Sequence, residues 1–186
     1  MMKRVFVAID ISDEASRKVD VYLKNLRSEF SNFRVSWERP EKLHLTLKFL
    51  GEIKAHQLND LIKVLESVAK KFAAFSLQIA GTGQFGKRVL WLGITDKNAK
   101  LNKIQELLET GTEKIGFERE TKSFKPHLTI ARLREPDKSF PLVKKHLQNN
   151  FEPLDFEVSQ IVIYESQLQS TGSVYKILAK HKLPKG

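Results

Sequence analysis

The sequence predicts a fold of strands and helices in which two similar lobes face each other across a cleft. Segments that alternate apolar and polar residues are interleaved with segments whose apolar residues recur at helical spacing. A unit near the start of the chain, residues 5–47, has a counterpart at residues 90–130. The 186 residues contain no linker or low-complexity segment, so we expect one bilobal domain over residues 1–186.

The individual elements follow from these two periods. Ser12 can cap the first helix, and the four predicted helices have apolar faces within residues 19–30, 58–72, 101–108 and 141–148. The predicted strands are residues 4–9, 33–37, 43–50, 75–80, 88–94 and 127–133, followed by a final hairpin of 156–164 with 174–179. A glycine-rich turn at residues 81–86 is expected to join the fourth strand to the fifth.

The two matching units carry more information than any single element. They are VFVAID (5–10), a helix and KLHLTL (42–47), then LWLGIT (90–95), a helix and KPHLTI (125–130). Ile9 lies 35 residues before His44, and Ile94 lies 33 residues before His127. Chance does not readily put two HLT tripeptides at matched positions. We therefore interpret the units as duplicated lobes that each deliver one His-x-Thr to a shared cleft.

The two His-x-Thr pairs indicate acid–base chemistry at phosphorus. Side chains at positions i and i+2 of a strand project to the same face, so His44 projects with Thr46, and His127 with Thr129. Two histidines on opposite sides of a phosphorus atom can divide one in-line displacement. The neutral ring takes a proton from the attacking water, and the protonated ring donates to the leaving oxygen. The threonine hydroxyls can hydrogen-bond the non-bridging oxygens.

A single His-x-Thr is most often structural, and only the paired, symmetric occurrence favours catalysis. A metal site is the rival functional interpretation, but the sequence has no HExxH helix and no tight cluster of histidines with carboxylates. We therefore expect neither a metal nor another cofactor. The other histidines, His56, His146 and His181, have no matching partner, and we interpret them as structural or solvated.

The bulk composition favours a polyanionic partner. Lys and Arg outnumber Asp and Glu by 32 to 22, and the net charge of +10 favours RNA or DNA, although a solvated lysine-rich surface explains it equally well. The absence of cysteine excludes disulfides and thiolate nucleophiles. The N-terminal apolar run is too short for a signal peptide, and no segment reaches the ~20 apolar residues of a membrane span. We expect a cytoplasmic monomer with no membrane partner.

Two stretches around the histidines resemble the signatures of the 2H phosphoesterases. The first is residues 37–52, WERPEKLHLTLKFLGE, and the second is residues 125–132, KPHLTIAR. Within that family the chain is most similar to the bacterial and archaeal RNA 2',3'-cyclic phosphodiesterases, also called 2'-5' RNA ligases. The opening FVAID and residues 88–94 also fit, so the resemblance runs to the final hairpin. One departure, Gly86 where many relatives have proline, concerns a loop.

The resemblance implies an α+β fold of two pseudo-symmetric lobes, each with an antiparallel sheet flanked by helices, and an active-site cleft between them. It implies hydrolysis of 2',3'-cyclic phosphates at RNA ends, or in small cyclic nucleotides, to 2'-phosphates. His44 would be the proton donor and His127 the proton acceptor, although spacing alone leaves these roles interchangeable. The same site could join RNA ends in reverse through a 2'-5' bond. A non-catalytic RNA-binding module is the alternative, but it would not need two matched proton-transfer groups.

Two basic residues are further candidates for substrate binding. Arg132 lies five residues after His127, where members of the family have an arginine that reaches the substrate. Simple alternation turns Arg132 away from the His127 face, so a bulge is required there. Lys48 shares the His44 face by alternation and would supply positive potential. Exposed, solvated roles are the alternative for both side chains.

Overall fold

The protein is described by a computed structural model that covers residues 2–170 and 172–185. The helices of that part of the chain are α1 Asp13–Glu29, α2 Ala55–Ala69, α3 Lys100–Glu113 and α4 Phe140–Gln148. The strands are β1 Lys3–Asp10, β2 Val35–Trp37, β3 His44–Ile53, β4 Phe75–Phe85, β5 Val89–Thr95, β6 His127–Leu133, β7 Leu154–Val158, β8 Gln160–Gln169 and β9 Gly172–Lys182. None of the described helices is long and apolar enough to cross a membrane.

The strands form one antiparallel sheet with two halves. Eight of the nine described strands follow the order β7-β4-β5-β6-β3-β1-β8-β9, and the short β2 pairs with β6 beside this path. The halves β7-β4-β5-β6 and β3-β1-β8-β9 meet where Leu45 of β3 pairs with Leu128 of β6. The predicted α+β fold of two lobes is confirmed, and the lobes are joined through this residue pair.

The two halves exchange strands. β4 follows the first His-x-Thr strand in the chain, yet it pairs with β5 in the second half; β8 follows the second His-x-Thr strand, yet it pairs with β1 in the first half. Only Ser159 separates β7 from β8, and its carbonyl oxygen accepts a hydrogen bond from Leu183 N at 2.8 Å. The sheet therefore curls so that its distant strands approach each other on the side away from the central pair.

The helices bury their apolar stripes against this sheet. Ser12 caps α1 as predicted, because its hydroxyl accepts a hydrogen bond from Ala15 N at 3.1 Å. Val19, Leu23 and Leu26 of α1 are at most 1% exposed and belong to a connected apolar cluster that also includes residues of α2, α3 and both halves of the sheet. Tertiary packing of such stripes, rather than helix propensity, supplies most of the stability of helices this short.

The predicted turn between β4 and β5 is present, but its bounds are wrong, because β4 continues to Phe85 and the turn occupies residues 86–88. Gly81, at φ +76°, adopts the left-handed conformation within a bulge of the β4–β5 pairing, and the strand then resumes. Gly83 lies against the indole ring of Trp91, where a Cβ would fall 2.1 Å from Cζ2. These glycines permit a bulge and a close contact, and composition alone does not distinguish such a strand from a turn.

The predicted strand at residues 156–164 is also wrong as a single element. β7 ends at Val158 and pairs with β4, whereas β8 begins at Gln160 and pairs with β1 and β9. The chain changes from one half of the sheet to the other at Ser159, where the sequence has neither glycine nor proline to mark a break. The second part of that prediction, a hairpin with residues 174–179, is confirmed by the β8–β9 pair.

The matching units recognised in the sequence are present in the structure. The strand pairing, however, matches their first strands two residues away from the match that the sequence indicated. Asp10 lies opposite His44 in the β1–β3 pair. Gly93, rather than the Thr95 that the sequence comparison matched to Asp10, lies opposite His127 in the β5–β6 pair. The two histidines therefore have different residues beside them on the neighbouring strand.

Gly83→Ala is expected to lower the free energy of unfolding by about 1–3 kcal/mol, because the added methyl group overlaps the Trp91 ring. Urea denaturation followed by circular dichroism measures the change. Ser76→Ala, at an exposed position of the same strand, is the control and should change stability by less than about 0.5 kcal/mol. Equal stability of the two variants would mean that the indole ring accommodates the methyl group without cost.

Candidate active site

His44 and His127 are the first residues of the two strands at which the halves of the sheet meet. In the antiparallel register set by the leucine pair described above, His44 lies beside Thr129, and Thr46 lies beside His127. All four side chains are half-buried, whereas both leucines between them are fully buried. The two His-x-Thr pairs thus share one face of the sheet, diagonally related across its centre.

The same hydrogen bond orients both imidazoles. His44 Nδ1 lies 2.6 Å from the carbonyl oxygen of Lys42, and His127 Nδ1 lies 2.6 Å from that of Lys125. Because a carbonyl oxygen only accepts, Nδ1 carries a proton and donates it in both rings. Nε2, on the other side of each ring, then accepts a proton when the ring is neutral and donates one when it is charged. Either histidine can act as acid or base through Nε2.

Aromatic rings pack against both histidines. The ring centroids of Phe6 and Tyr175 lie 5.0 and 5.3 Å from that of His44, and the Phe85 centroid lies 4.7 Å from that of His127. Phe6 is only 2% exposed, so the side of His44 that packs on it is shielded from water. These contacts restrict the rotation of each imidazole and remove part of its surface from water.

Burial lowers the pKa of both imidazoles below the ordinary value of 6.5. The Nδ1 hydrogen bonds act in the opposite direction, because they favour the protonated ring. The nearby charges differ between the two sites: the Asp10 carboxylate raises the pKa of His44, whereas the Arg132 guanidinium lowers that of His127 further. His127 also lowers the pKa of His44, which reflects the closeness of the two rings.

Arg132 is exposed and lies on the face that carries His127. The pairing of β5 with β6 skips Ile130, which is the bulge that this orientation requires. Ile130 and Ala131 are consequently both buried, and alternation resumes with Arg132 outside. The guanidinium is close enough to His127 to act on its pKa. The required bulge is thus present, and contact between Arg132 and a substrate stays a prediction.

Lys48 is not available as a free cation in the cleft, so the prediction that it supplies positive potential is wrong. The pairing of β1 with β3 skips Leu47, and alternation from His44 therefore fails before it reaches Lys48, which is 6% exposed. Its Nζ donates hydrogen bonds to Glu109 Oε2 at 2.6 Å and to the carbonyl oxygen of Glu118 at 3.0 Å. This buried ion pair neutralises the lysine and links β3 to α3.

A groove of about 1190 Å³ adjoins His127 and Thr46. It is lined by residues 46–51 of β3, by side chains of α3 and by residues 116–125, and His127 also lines it. The 116–125 segment has no helix or strand, and the buried ion pair anchors it, because Glu109 Oε2 also accepts from Glu120 N at 3.1 Å. The shape of the groove wall therefore depends on side chains beneath it.

Sequence reasoning missed the polar residues that surround His44. Tyr164 donates its hydroxyl hydrogen to Asp10 Oδ1 at 2.7 Å, and the two rings of Tyr164 and His44 are 6.3 Å apart. Burial raises the pKa of Tyr164, so it stays a phenol donor. Tyr164 and Tyr175 come from β8 and β9, more than a hundred residues along the chain, and no local pattern connects them to His44.

The other histidines do not join the site. His146 is fully buried, accepts from the Tyr22 hydroxyl at 2.8 Å and donates to the carbonyl oxygens of Gly83 and Trp91 at 3.1 Å, which confirms its structural role. His56 is exposed near the start of α2, and His181 lies in β9, in keeping with the solvated or structural interpretation. Within residues 2–170 and 172–185, no group of three or more His, Cys, Asp or Glu side chains is arranged to hold a metal ion.

An antiparallel sheet with one His-x-Thr on each of its two central strands places the protein in the class of two-histidine phosphoesterases. The sequence profile of the 2'-5' RNA ligase superfamily matches residues 15–169. The chain belongs to this superfamily, and the resemblance drawn from the sequence is confirmed.

The RNA 2',3'-cyclic phosphodiesterases of Thermotoga maritima and Archaeoglobus fulgidus are 33% and 32% identical to the chain. The alignments cover 94% of this chain in both cases, and 92% and 97% of those proteins. The crystal structure of the Thermus thermophilus protein TT0787 superposes with a TM-score of 0.78 at 26% identity, covering 98% of each chain. That of E. coli LigT complexed with 3'-AMP gives 0.78 at 23% identity, covering 98% of this chain and 99% of that one.

Lys48→Met should lower the free energy of unfolding by about 3–5 kcal/mol, because it leaves the Glu109 carboxylate buried without its partner. The double variant Lys48→Met/Glu109→Leu removes both charges and should recover most of that loss. Chemical denaturation measures both changes. Lys63→Met breaks the exposed pair with Asp60 and should cost less than about 1 kcal/mol. Similar losses for the Lys48 and Lys63 single variants would show that burial does not distinguish the two pairs.

Proposed function

We propose that the chain hydrolyses 2',3'-cyclic phosphates, at RNA ends and in small cyclic nucleotides, to 2'-phosphates. His44 is the proton donor, His127 is the proton acceptor, and Thr46, Thr129 and Arg132 bind phosphate oxygens. The observation that carries this proposal is the diagonal pair of imidazoles, each held through Nδ1, which leaves Nε2 as the atom for proton transfer. Such a pair can serve the two poles of one in-line displacement.

The proton transfers balance over one turnover. Water attacks phosphorus while His127 Nε2 takes one of its protons. The bond from phosphorus to the 3' oxygen breaks, and His44 Nε2–H donates to that oxygen, which leaves a 3'-hydroxyl and a 2'-phosphate. His127 then loses its proton to solvent and His44 regains one. The threonine hydroxyls donate to the non-bridging oxygens as charge builds on them.

The names of the relatives support the substrate class, because the proteins of Thermotoga maritima and Archaeoglobus fulgidus are both RNA 2',3'-cyclic phosphodiesterases. The net charge of +10 favours an RNA substrate. Replacing the water by the 5'-hydroxyl of a second RNA end would give a 2'-5' bond with the same proton transfers, although water in excess favours hydrolysis. Both histidines come from one chain, so we propose that a monomer suffices. We also propose that the protein is cytoplasmic.

His44→Ala and His127→Ala should each reduce hydrolysis of 2',3'-cyclic AMP by ~10²-fold or more, because each removes one proton-transfer group. The assay is run in EDTA, with the monophosphate product separated by chromatography. Thr46→Ala and Thr129→Ala should be milder, since each removes a single neutral hydrogen bond. His56→Ala, an exposed histidine outside the cleft, is the matched control and should retain full activity.

Three results would contradict the proposal. Near wild-type turnover by either cleft histidine variant would remove the paired acid–base mechanism. Wild-type activity that is lost in EDTA and restored by a divalent ion would indicate metal catalysis instead. A wild-type protein that binds RNA but never produces a monophosphate would be the non-catalytic binding module.

The pH profile of kcat/KM should be bell-shaped and centred at or below 6.5, the ordinary pKa of histidine. As pH falls, His127 becomes protonated and can no longer accept a proton; as pH rises, His44 loses the proton that it must donate. Burial lowers the pKa of both rings, which moves both limbs to the acid side. Initial rates between about pH 4 and pH 9 define the curve. Activity that rises steadily to the alkaline end would contradict the assignment.

Hydrolysis of 2',3'-cyclic AMP should yield one product isomer. In-line attack puts the water and the leaving oxygen at opposite poles of phosphorus, and each histidine can serve only one pole. With His44 protonating the 3' oxygen, the product is adenosine 2'-monophosphate. Chromatography against 2'- and 3'-monophosphate standards identifies it. A mixture would contradict the two-pole geometry, whereas pure 3'-monophosphate would keep the geometry and reverse only the orientation of the substrate.

A further inference from the structure

The two histidines are related by pseudo-symmetry, yet the strand beside each one carries a different residue. Asp10 of β1 lies opposite His44, and Gly93 of β5 lies opposite His127. The difference is built into the fold, because a Cβ on Gly93 would lie 2.6 Å from the carbonyl oxygen of Ala80. A carboxylate can therefore stand beside His44, while its symmetric position has no room for any side chain.

The Asp10 carboxylate is held on the His44 side of the cleft. The Tyr164 hydroxyl donates to Asp10 Oδ1 at 2.7 Å. The Tyr164 ring stacks on Phe6 with centroids 5.3 Å apart, and Phe6 in turn packs on the His44 ring at 5.0 Å. Tyr164 and His44 thus pack against the same buried aromatic ring, and Tyr164 holds the carboxylate of the residue that lies opposite His44 on β1.

The other charged and titratable groups near the two rings reinforce this difference. Around His44 they are Asp10 from β1, Tyr164 from β8, Tyr175 from β9, Lys42 from the preceding turn and His127 from β6. Around His127 they are Arg132 of its own strand, Lys125 and His44, while the neighbouring rings of Phe85 and Trp91 are neutral. Asp10 is the carboxylate that raises the pKa of His44, and Arg132 is the guanidinium that lowers the pKa of His127. Glu38 is a second carboxyl close to this set, because it acts on the pKa of Tyr175 and is itself acted on by Lys42 and Arg132.

We propose that Asp10 is a positioning residue that favours the protonated form of His44 against the effect of burial, and that it thereby makes His44 the proton donor and leaves His127 as the proton acceptor. This inference rests on the proposed function, which requires one protonated and one neutral imidazole. The matched Nδ1 hydrogen bonds do not decide which ring is in which state. Asp10 opposes the effect of burial on the pKa of His44, and Arg132 adds to the effect of burial on the pKa of His127. Both influences favour the same direction of proton transfer.

The test uses Asp10→Asn, which removes the charge but keeps the shape and an oxygen that can accept from Tyr164. NMR titration of the imidazole signals in the full-length protein reports each histidine separately. The pKa of His44 should fall by about half a pH unit or more, with a much smaller change at His127. The alkaline limb of the kcat/KM profile should move to lower pH, so that activity on that limb falls ~3-fold or more.

Glu52→Gln is the matched control, because it removes an exposed carboxylate from the far end of β3. It should leave both titrations and the pH profile unchanged. An unshifted His44 titration in folded Asp10→Asn, or an equal shift in the control, would overturn the inference; so would a shift of the same size at both histidines. If Asp10→Asn did not fold, Asp10→Ser provides the same charge removal for the same titration.

The failure of the inference can be told apart from the failure of the proposed function. If the wild-type protein does not hydrolyse 2',3'-cyclic AMP, the proposed function fails, while the NMR titrations still show whether Asp10 holds the proton on His44. If hydrolysis proceeds but the His44 titration does not depend on Asp10, the proposed function is retained and the inference about Asp10 fails. The roles of the two histidines would then be set by other residues.

Discussion

The pairing of Leu45 with Leu128 is the contact on which the geometry of the site depends. Both leucines are fully buried, so they hold β3 and β6 in one register at the centre of the sheet. Because side chains alternate along a strand, a slip of one residue would turn the flanking histidines and threonines into the core and the leucines outwards. The cost of exposing two leucines therefore protects the alignment of His44 and His127.

Pseudo-symmetry supplies two matched histidines. Directed proton transfer also requires that the two histidines differ in protonation, and pseudo-symmetry does not supply this difference. The halves share a bulge after each His-x-Thr, and beyond it the matched positions are occupied by Phe49, which is 66% exposed, and by Arg132. On the neighbouring strands the matched residues are Asp10 and Gly93. The backbone repeats, whereas the charges do not. A few side chains can thus set the direction of proton transfer in a duplicated scaffold, while the backbone keeps the two histidines aligned.

Period and spacing were sufficient to predict most helices and strands, the paired His-x-Thr and the single face that they share. They were not sufficient where pairing between distant strands decides the outcome. The same alternation rule misjudged Lys48 and would have misjudged Arg132, because a bulge lies before each residue. Nothing local marks either bulge, or the change of half at Ser159. The sequence shows Asp10 at the end of a predicted strand. Its position opposite His44 becomes known only from the register of the β1–β3 pair.

The buried pair of Lys48 and Glu109 shows how a polar contact can matter more for position than for stability. Two apolar side chains of similar volume would fill the same space and keep most of the stability. They could not, however, satisfy the carbonyl of Glu118 or the N–H of Glu120, which the pair binds directly. Those two backbone groups lie in the 116–125 segment, which has neither helix nor strand to define its path. An ion pair under this segment holds the groove wall beside His127 through two directional hydrogen bonds that apolar side chains cannot make.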